Sequence, residues 1–151
     1  MPEKKSAKSA TRKTAPKVGL SAAEKAALKE TIADQKAAAA GLEGEKALLA
    51  KVASMVEPDR SMAKRIHAIV KANAPTLQPT TWYGMPAYSK NGKAVLFFQD
   101  KAKFKARYAT FGFNDNASLD DGNMWPTSYA LTKLTPADEA KITALVKKAA
   151  R

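Results

Sequence analysis

The chain has 151 residues, a formal net charge of +12 and no cysteine, which excludes disulfide scaffolds, thiolate metal sites, iron–sulfur clusters and cysteine nucleophiles. Its longest apolar run, Ala94–Phe98, is far below the ~20 residues that cross a bilayer, and the basic start at Met1–Lys17 lacks the apolar stretch of a secretory signal. The charge is uneven, with six Lys/Arg against one Glu in Met1–Leu20 and ten against Asp100 alone in Arg60–Arg107; such an excess draws anions, and it also simply keeps a small protein in solution.

Residues 1–20 mix Lys, Ser, Ala, Thr and Pro with almost no large apolar side chain, and read as a disordered basic tail. Ser21 and Glu24 form a capping box that opens a helix running to about Ala40, where Gly41 and Gly44 are expected to break it. This segment, 21–44, reads as an additional N-terminal helix whose only large apolar pair is Leu28 and Ile32. A second helix, Glu45–Val56, gathers Leu48, Leu49, Val52, Met55 and Val56 on one face. A third begins near Asp59 or Ser61, either of which can cap it, and carries Met62, Ile66, Ile69, Val70 and Asn73 on one side until Pro75 and Pro79 forbid continuation.

Beyond Pro79 aromatic and β-branched residues replace alanine and the period moves toward two. Thr80–Tyr88 reads as one strand with Pro86 near an edge or bulge, Asn91–Gly92 as a hairpin turn, and Ala94–Gln99 as the return strand. Lys103–Phe113 reads as a longer strand with Lys103, Lys105 and Arg107 on one side and a bulge near Thr110. A polar loop over Asn114–Asn123, a strand over Thr127–Lys133 and a helix capped by Thr135, Pro136 and Asp138 complete the chain. The expected fold is α+β: N-terminal helices on one face of a roughly four-stranded antiparallel sheet, followed by a C-terminal helix.

Phosphate-loop, dinucleotide and nucleophile-elbow motifs are absent, and His67 is the single histidine, so zinc hydrolase and Ser–His or Cys–His chemistry find no residues. Asp115, Asp120 and Asp121 are the compact acidic group of the folded half and the candidate cation ligands; a plain turn-forming loop has the same composition. The most distinctive stretch is Trp82–Tyr83–Gly84–Met85–Pro86–Ala87–Tyr88. A glycine among rigid rings permits an aromatic-lined concave surface, and Lys105, Arg107 and Tyr108 would stand beside it to hold a small organic anion. The competing reading places Trp82, Tyr88, Phe97 and Tyr108 in the core.

These residues carry a resemblance. Ala74–Pro75, the run Thr81–Tyr88 and the hairpin strand Gly92–Phe98 resemble the domain-of-unknown-function 1801, or YdhG-like, family over roughly Ala47–Leu134, which would make 45–151 a YdhG-like α+β domain. The resemblance implies a small cytoplasmic protein, distantly frataxin-like in outline, with a link to iron handling. The acidic ridge of frataxin-type iron binding is not repeated, because Glu24, Glu30 and Asp34 alternate with Lys25, Lys29 and Lys36. The expected function is therefore a non-enzymatic binding or accessory domain for a small anion or a protein partner, with no cofactor and no membrane. The alternatives are a frataxin-like iron chaperone using the three aspartates, and a nucleic-acid accessory protein with salt-dependent contacts through the tail.

Overall fold

The structure, a computed structural model, describes residues 21–151, the side chains of residues 30, 31 and 33–40 excepted; the expected tail at 1–20 lies outside the described residues. The chain divides at Ala39 and Ala40 into two units. It builds helices α1 (Ala22–Ala53) and α2 (Asp59–Asn73), strands β1 (Gln78–Trp82), β2 (Met85–Lys90) and β3 (Lys93–Gln99), a short helix α3 (Lys101–Phe104), strands β4 (Ala109–Phe113) and β5 (Ser128–Leu131), and helix α4 (Pro136–Ala149). The α+β class stands, with helices flanking an antiparallel sheet. The sheet has five strands rather than about four, in the order β1-β2-β3-β4-β5.

The helix starts follow local chemistry. Ser21 Oγ accepts the Glu24 amide at 3.1 Å while Glu24 Oε1 accepts the Ser21 amide at 3.3 Å, the reciprocal capping read from the sequence. Thr135 and Asp138 repeat the device at α4, with Pro136 in the first turn. At α2 the cap is neither Asp59 nor Ser61. Glu57 reaches forward instead, its carboxylate accepting the Ser61 amide at 2.9 Å and the Ser61 hydroxyl at 2.8 Å. Asp59 is buried inside the first turn.

Two expected helices are one. α1 runs unbroken through Gly41 and Gly44, because an interior glycine costs a helix only about 1 kcal/mol. Gly44 has a packing reason to be there: a Cβ would lie 2.2 Å from the Pro79 carbonyl oxygen, so the helix backbone rests directly on β1. Leu48, Val52 and Met55 then reach the core, while Leu28 and Ile32 are exposed.

The expected strand Thr80–Tyr88 is a hairpin. Tyr83 and Gly84 both take positive φ, 49° and 73°, which makes a two-residue type I′ turn and pairs Trp82 with Met85. The Asn91–Gly92 hairpin forms as expected, with φ of 53° and 78°. The strand expected over Lys103–Phe113 begins only at Ala109. Asp100 caps Lys103, one helical turn follows, and Lys105 ends it in the left-handed region with φ 52°. The register shift lies between Tyr88 and Ser89, and no shift occurs at Thr110.

One core fills the space between helices and sheet. Leu48, Val52, Ile66, Val70, Ile142 and Val146 meet Tyr88, Leu96, Phe98, Phe111 and Phe113 from the sheet's inner face. Strand alternation sends the partners of these residues the other way. Trp82, Met85, Ala87, Phe97 and Gly112 thus share the outer face, linked by the pairs Trp82–Met85, Ala87–Phe97 and Phe97–Gly112.

The two α1 glycines separate propensity from packing. A Cβ at Gly41 meets nothing, so Gly41→Ala should stabilise the protein by about 1 kcal/mol. Gly44→Ala should destabilise it by roughly 1–3 kcal/mol despite the same gain in propensity. Urea unfolding of the two variants measures both, and equal signs would refute the packing argument.

Candidate functional site

On the outer face the Phe97 ring lies over Gly112, where an added Cβ would come within 2.4 Å of the ring. Trp82 packs beside it with ring centroids 5.4 Å apart, and Tyr83 follows at 4.8 Å from Trp82, edge-on. Three rings therefore form a row from β3 across to the β1–β2 turn. Ala87 and Met85 are buried beneath this row, and Tyr83 stands 79% exposed at its end. Trp82 is also a wall of an open groove of about 550 Å³, bordered by Thr80, Thr81, Ser89, Lys93 and the loop Asn114–Asn116.

The sequence-derived site residues separate. Trp82, Tyr83 and Met85 come together on the outer face. Tyr88 does not join them. It is 1% exposed in the core, since the turn at Tyr83–Gly84 exchanges odd and even positions between faces and leaves residue 88 pointing at the helices. Lys105 and Arg107 are not strand residues beside the rings. They sit on the exposed segment between α3 and β4, with the Arg107 guanidinium 5.0 Å from the ring of half-buried Tyr108.

The cation that reaches the aromatic turn is Lys103, which the sequence reading placed on a strand. Its Nζ donates to the Gly84 carbonyl at 3.2 Å and lies 5.5 Å from the Phe104 ring centroid, so the turn, Lys103 and Phe104 occupy one end of the sheet. Lys51, in the last turn of α1, is its neighbour. Burial pulls the Lys51 ammonium below the ordinary lysine range, the adjacent Lys103 adds to this, and Asp100 acts in the opposite sense. No sequence signal pairs Lys51 with Lys103; the pairing depends on how α1 packs.

Inside the core, His67 bridges three elements. Its Nε2 lies 2.8 Å from Glu45 Oε2 and its Nδ1 2.9 Å from the Tyr88 hydroxyl, and Lys71 Nζ is 2.7 Å from the same Glu45 oxygen. A carboxylate only accepts, so Nε2–H donates to Glu45 and, in the neutral ring, Nδ1 accepts from Tyr88. Burial, aided by the Glu45 charge, holds the Tyr88 hydroxyl well above the ordinary phenol range. Tyr88 keeps its proton and ties β2 to α2. His67, read from the sequence as either a proton carrier or a structural residue, has both ring nitrogens engaged and is buried.

The acidic loop is held by buried Ala117 and Leu119, with Asp115, Asp120 and Asp121 turned to solvent. Asp115 and Asp120 line a second depression of about 340 Å³ with Asn123, Met124 and Trp125. Among the described residues no group of three or more His, Cys, Asp or Glu side chains that could hold a metal ion is found, at this loop or elsewhere. Among the described residues no helix is long and apolar enough to cross a membrane. A scan against family models and searches of the curated proteins and the solved structures find no match to this chain.

The Glu45 cluster has a pH signature. Lys71 first, then His67, hold the Glu45 carboxyl below its ordinary range by hydrogen bonding, against the opposing effect of burial. A depressed folded-state pKa contributes stability that is present above the unfolded value of about 4.3 and disappears as pH falls through the folded value. Glu45→Gln should therefore lose stability at about pH 6 yet fall less steeply than the parent between about pH 4.5 and pH 3 in urea unfolding. Parallel acid limbs would show that the cluster carries no such linkage.

Proposed function

We propose that the folded domain is a non-enzymatic, cytoplasmic binding domain of the YdhG-like type, and that its ligand is an organic anion held on the outer face of the sheet. The observation that carries this reading is the aromatic row Phe97–Trp82–Tyr83, which lies outside the core on the sheet face turned away from the core helices, beside an open groove. Rings of this kind supply apolar and π contact to a planar ligand, and convergent polar groups fix its orientation. Thr80, Thr81 and Ser89 offer hydroxyls along the groove and Lys93 offers the cation. Lys93 thus takes the charge role that the sequence reading gave to Lys105 and Arg107.

A binding role also agrees with the chemistry of the ionisable groups. Tyr88, His67, Glu45 and Lys71 satisfy one another between helix and sheet, apart from the outer face. The groove brings one lysine and one aspartate, Lys93 and Asp115, among hydroxyls and amides. These are groups that orient a ligand.

Titration with a panel of aromatic carboxylates, followed by isothermal titration calorimetry, tests the reading. Lys93→Gln and Trp82→Ala should each weaken binding about tenfold, equivalent to ~1.4 kcal/mol, whereas Arg107→Ala should leave it unchanged. Binding indifferent to both groove substitutions, or no binding across the panel, would discard the outer-face site.

A further inference from the structure

The outer face ends in a cluster that a compact anion does not account for. Lys103 Nζ sits between the Gly84 carbonyl, at 3.2 Å, and the Phe104 ring, at 5.5 Å, with Lys51 beside it. Segment 101–107 carries Lys101, Lys103, Lys105 and Arg107 and no carboxylate. Its acidic neighbours, Asp59 and Asp100, are buried and accept the Lys101 and Lys103 amides. Two large rings stand out among these cations, Tyr83 at 79% exposure and Phe104 at 40%. Tyr83 holds φ 49° in a turn position where glycine or asparagine fits at lower cost, and its ring meets Trp82 edge-on while most of its surface stays in solvent.

The geometry of the cations decides between ligand classes. Lys93 lies at the β2–β3 turn and Lys103 at the β1–β2 turn, at opposite ends of the six-residue strand β2, a separation of about 20 Å at ~3.3 Å per residue. The ring row begins at Phe97, level with Ala87 midway along β2, and runs toward the Lys103 end with steps of 5.4 Å and 4.8 Å. A small organic anion meets one end or the other. A chain with a charge at every unit and a planar group on each meets both ends and the rings between them. Double-stranded DNA keeps its bases stacked on each other, and the charged units of an acidic peptide carry no ring, so a surface of rings and cations matches unpaired nucleotides, which carry both in every unit.

We propose that the outer face binds single-stranded nucleic acid, with bases stacking on Tyr83, Trp82 and Phe104 and phosphates meeting Lys51, Lys103, Lys105 and, at the far end, Lys93. This rests on the outer face being the ligand surface and replaces a compact anion with a polymeric one.

The test measures the full chain against a fluorescein-labelled strand of about twelve thymidines, a duplex of equal length and polyglutamate as competitor. The parent should prefer the single strand. Tyr83→Ala should weaken it about tenfold, and so should Tyr83→Asn, which suits the turn and removes the ring without weakening the fold. Lys51→Gln with Lys103→Gln should lower the salt slope by about 1.4, at ~0.7 for each of the two phosphates left without its lysine. Lys147→Gln, on α4, should change neither. Equal affinity for duplex, equal displacement by polyglutamate, or a Tyr83→Asn variant that binds like the parent would overturn the proposal. If the oligonucleotide fails while aromatic carboxylates still bind in a Lys93-dependent manner, the polymeric ligand alone falls; if both fail, the outer-face reading falls with it.

Discussion

Asp59 sits in the first turn of α2 with 1% of its surface exposed, and its Oδ2 accepts the Lys101 amide at 2.7 Å. A buried carboxylate is tolerated only where donors meet it, and here the donor is a backbone group at the junction where β3 ends and α3 begins. That one hydrogen bond pins the end of the central strand to the second helix. Asp100, equally hidden, then caps Lys103, so the following turn has a fixed start and a fixed end at Lys105. The place of Lys103 against Gly84, and with it the whole cationic end of the outer face, depends on this junction holding.

Polar and charged groups toward the two ends of α2 are handled differently. At the start, Asp59 leans on a backbone amide and leaves Oδ1 without a protein partner. Near the end, His67 and Lys71 share Glu45 from α1, and His67 passes the connection on to Tyr88 of β2. The second arrangement is closed, each member satisfying the next, and it joins two helices and a strand through directional contacts that apolar packing alone does not provide. Directionality of this kind fixes which turn of α1 faces which turn of α2, which in turn sets Gly44 against Pro79.

Much of this was legible in the chain because short-range chemistry speaks directly. Ser21 with Glu24, Thr135 with Pro136 and Asp138, and Asn91–Gly92 each specify a local geometry, and each forms. The change of rhythm at Pro79 marks the switch from helices to sheet. What stayed hidden depends on residues distant in sequence or on conformations that a residue type seldom takes. Gly44 looks like a helix breaker until Pro79 is seen against it. Tyr83 hides a turn, because tyrosine rarely takes positive φ. That turn changes the parity of everything after it, so Tyr88, which a single strand would align with Trp82, goes to the core. The alternating lysines of Lys103–Arg107 mimic a strand, and only the Asp100 cap and the left-handed Lys105 show otherwise. For the candidate site, the aromatics were visible and their separation into outer and inner sets was not.

The strand order equals the chain order throughout. Each strand therefore finds its partner a few residues away, except for the longer excursions around α3 and from β4 to β5, and the loop-closure entropy of assembling the sheet stays small. Pairing between chain neighbours keeps the sheet's own contacts local in sequence, so it can zip hairpin by hairpin from β1. α4 comes last and packs on α2, so the final fourteen-residue helix acts as the lid that closes an interior already laid down by everything before it.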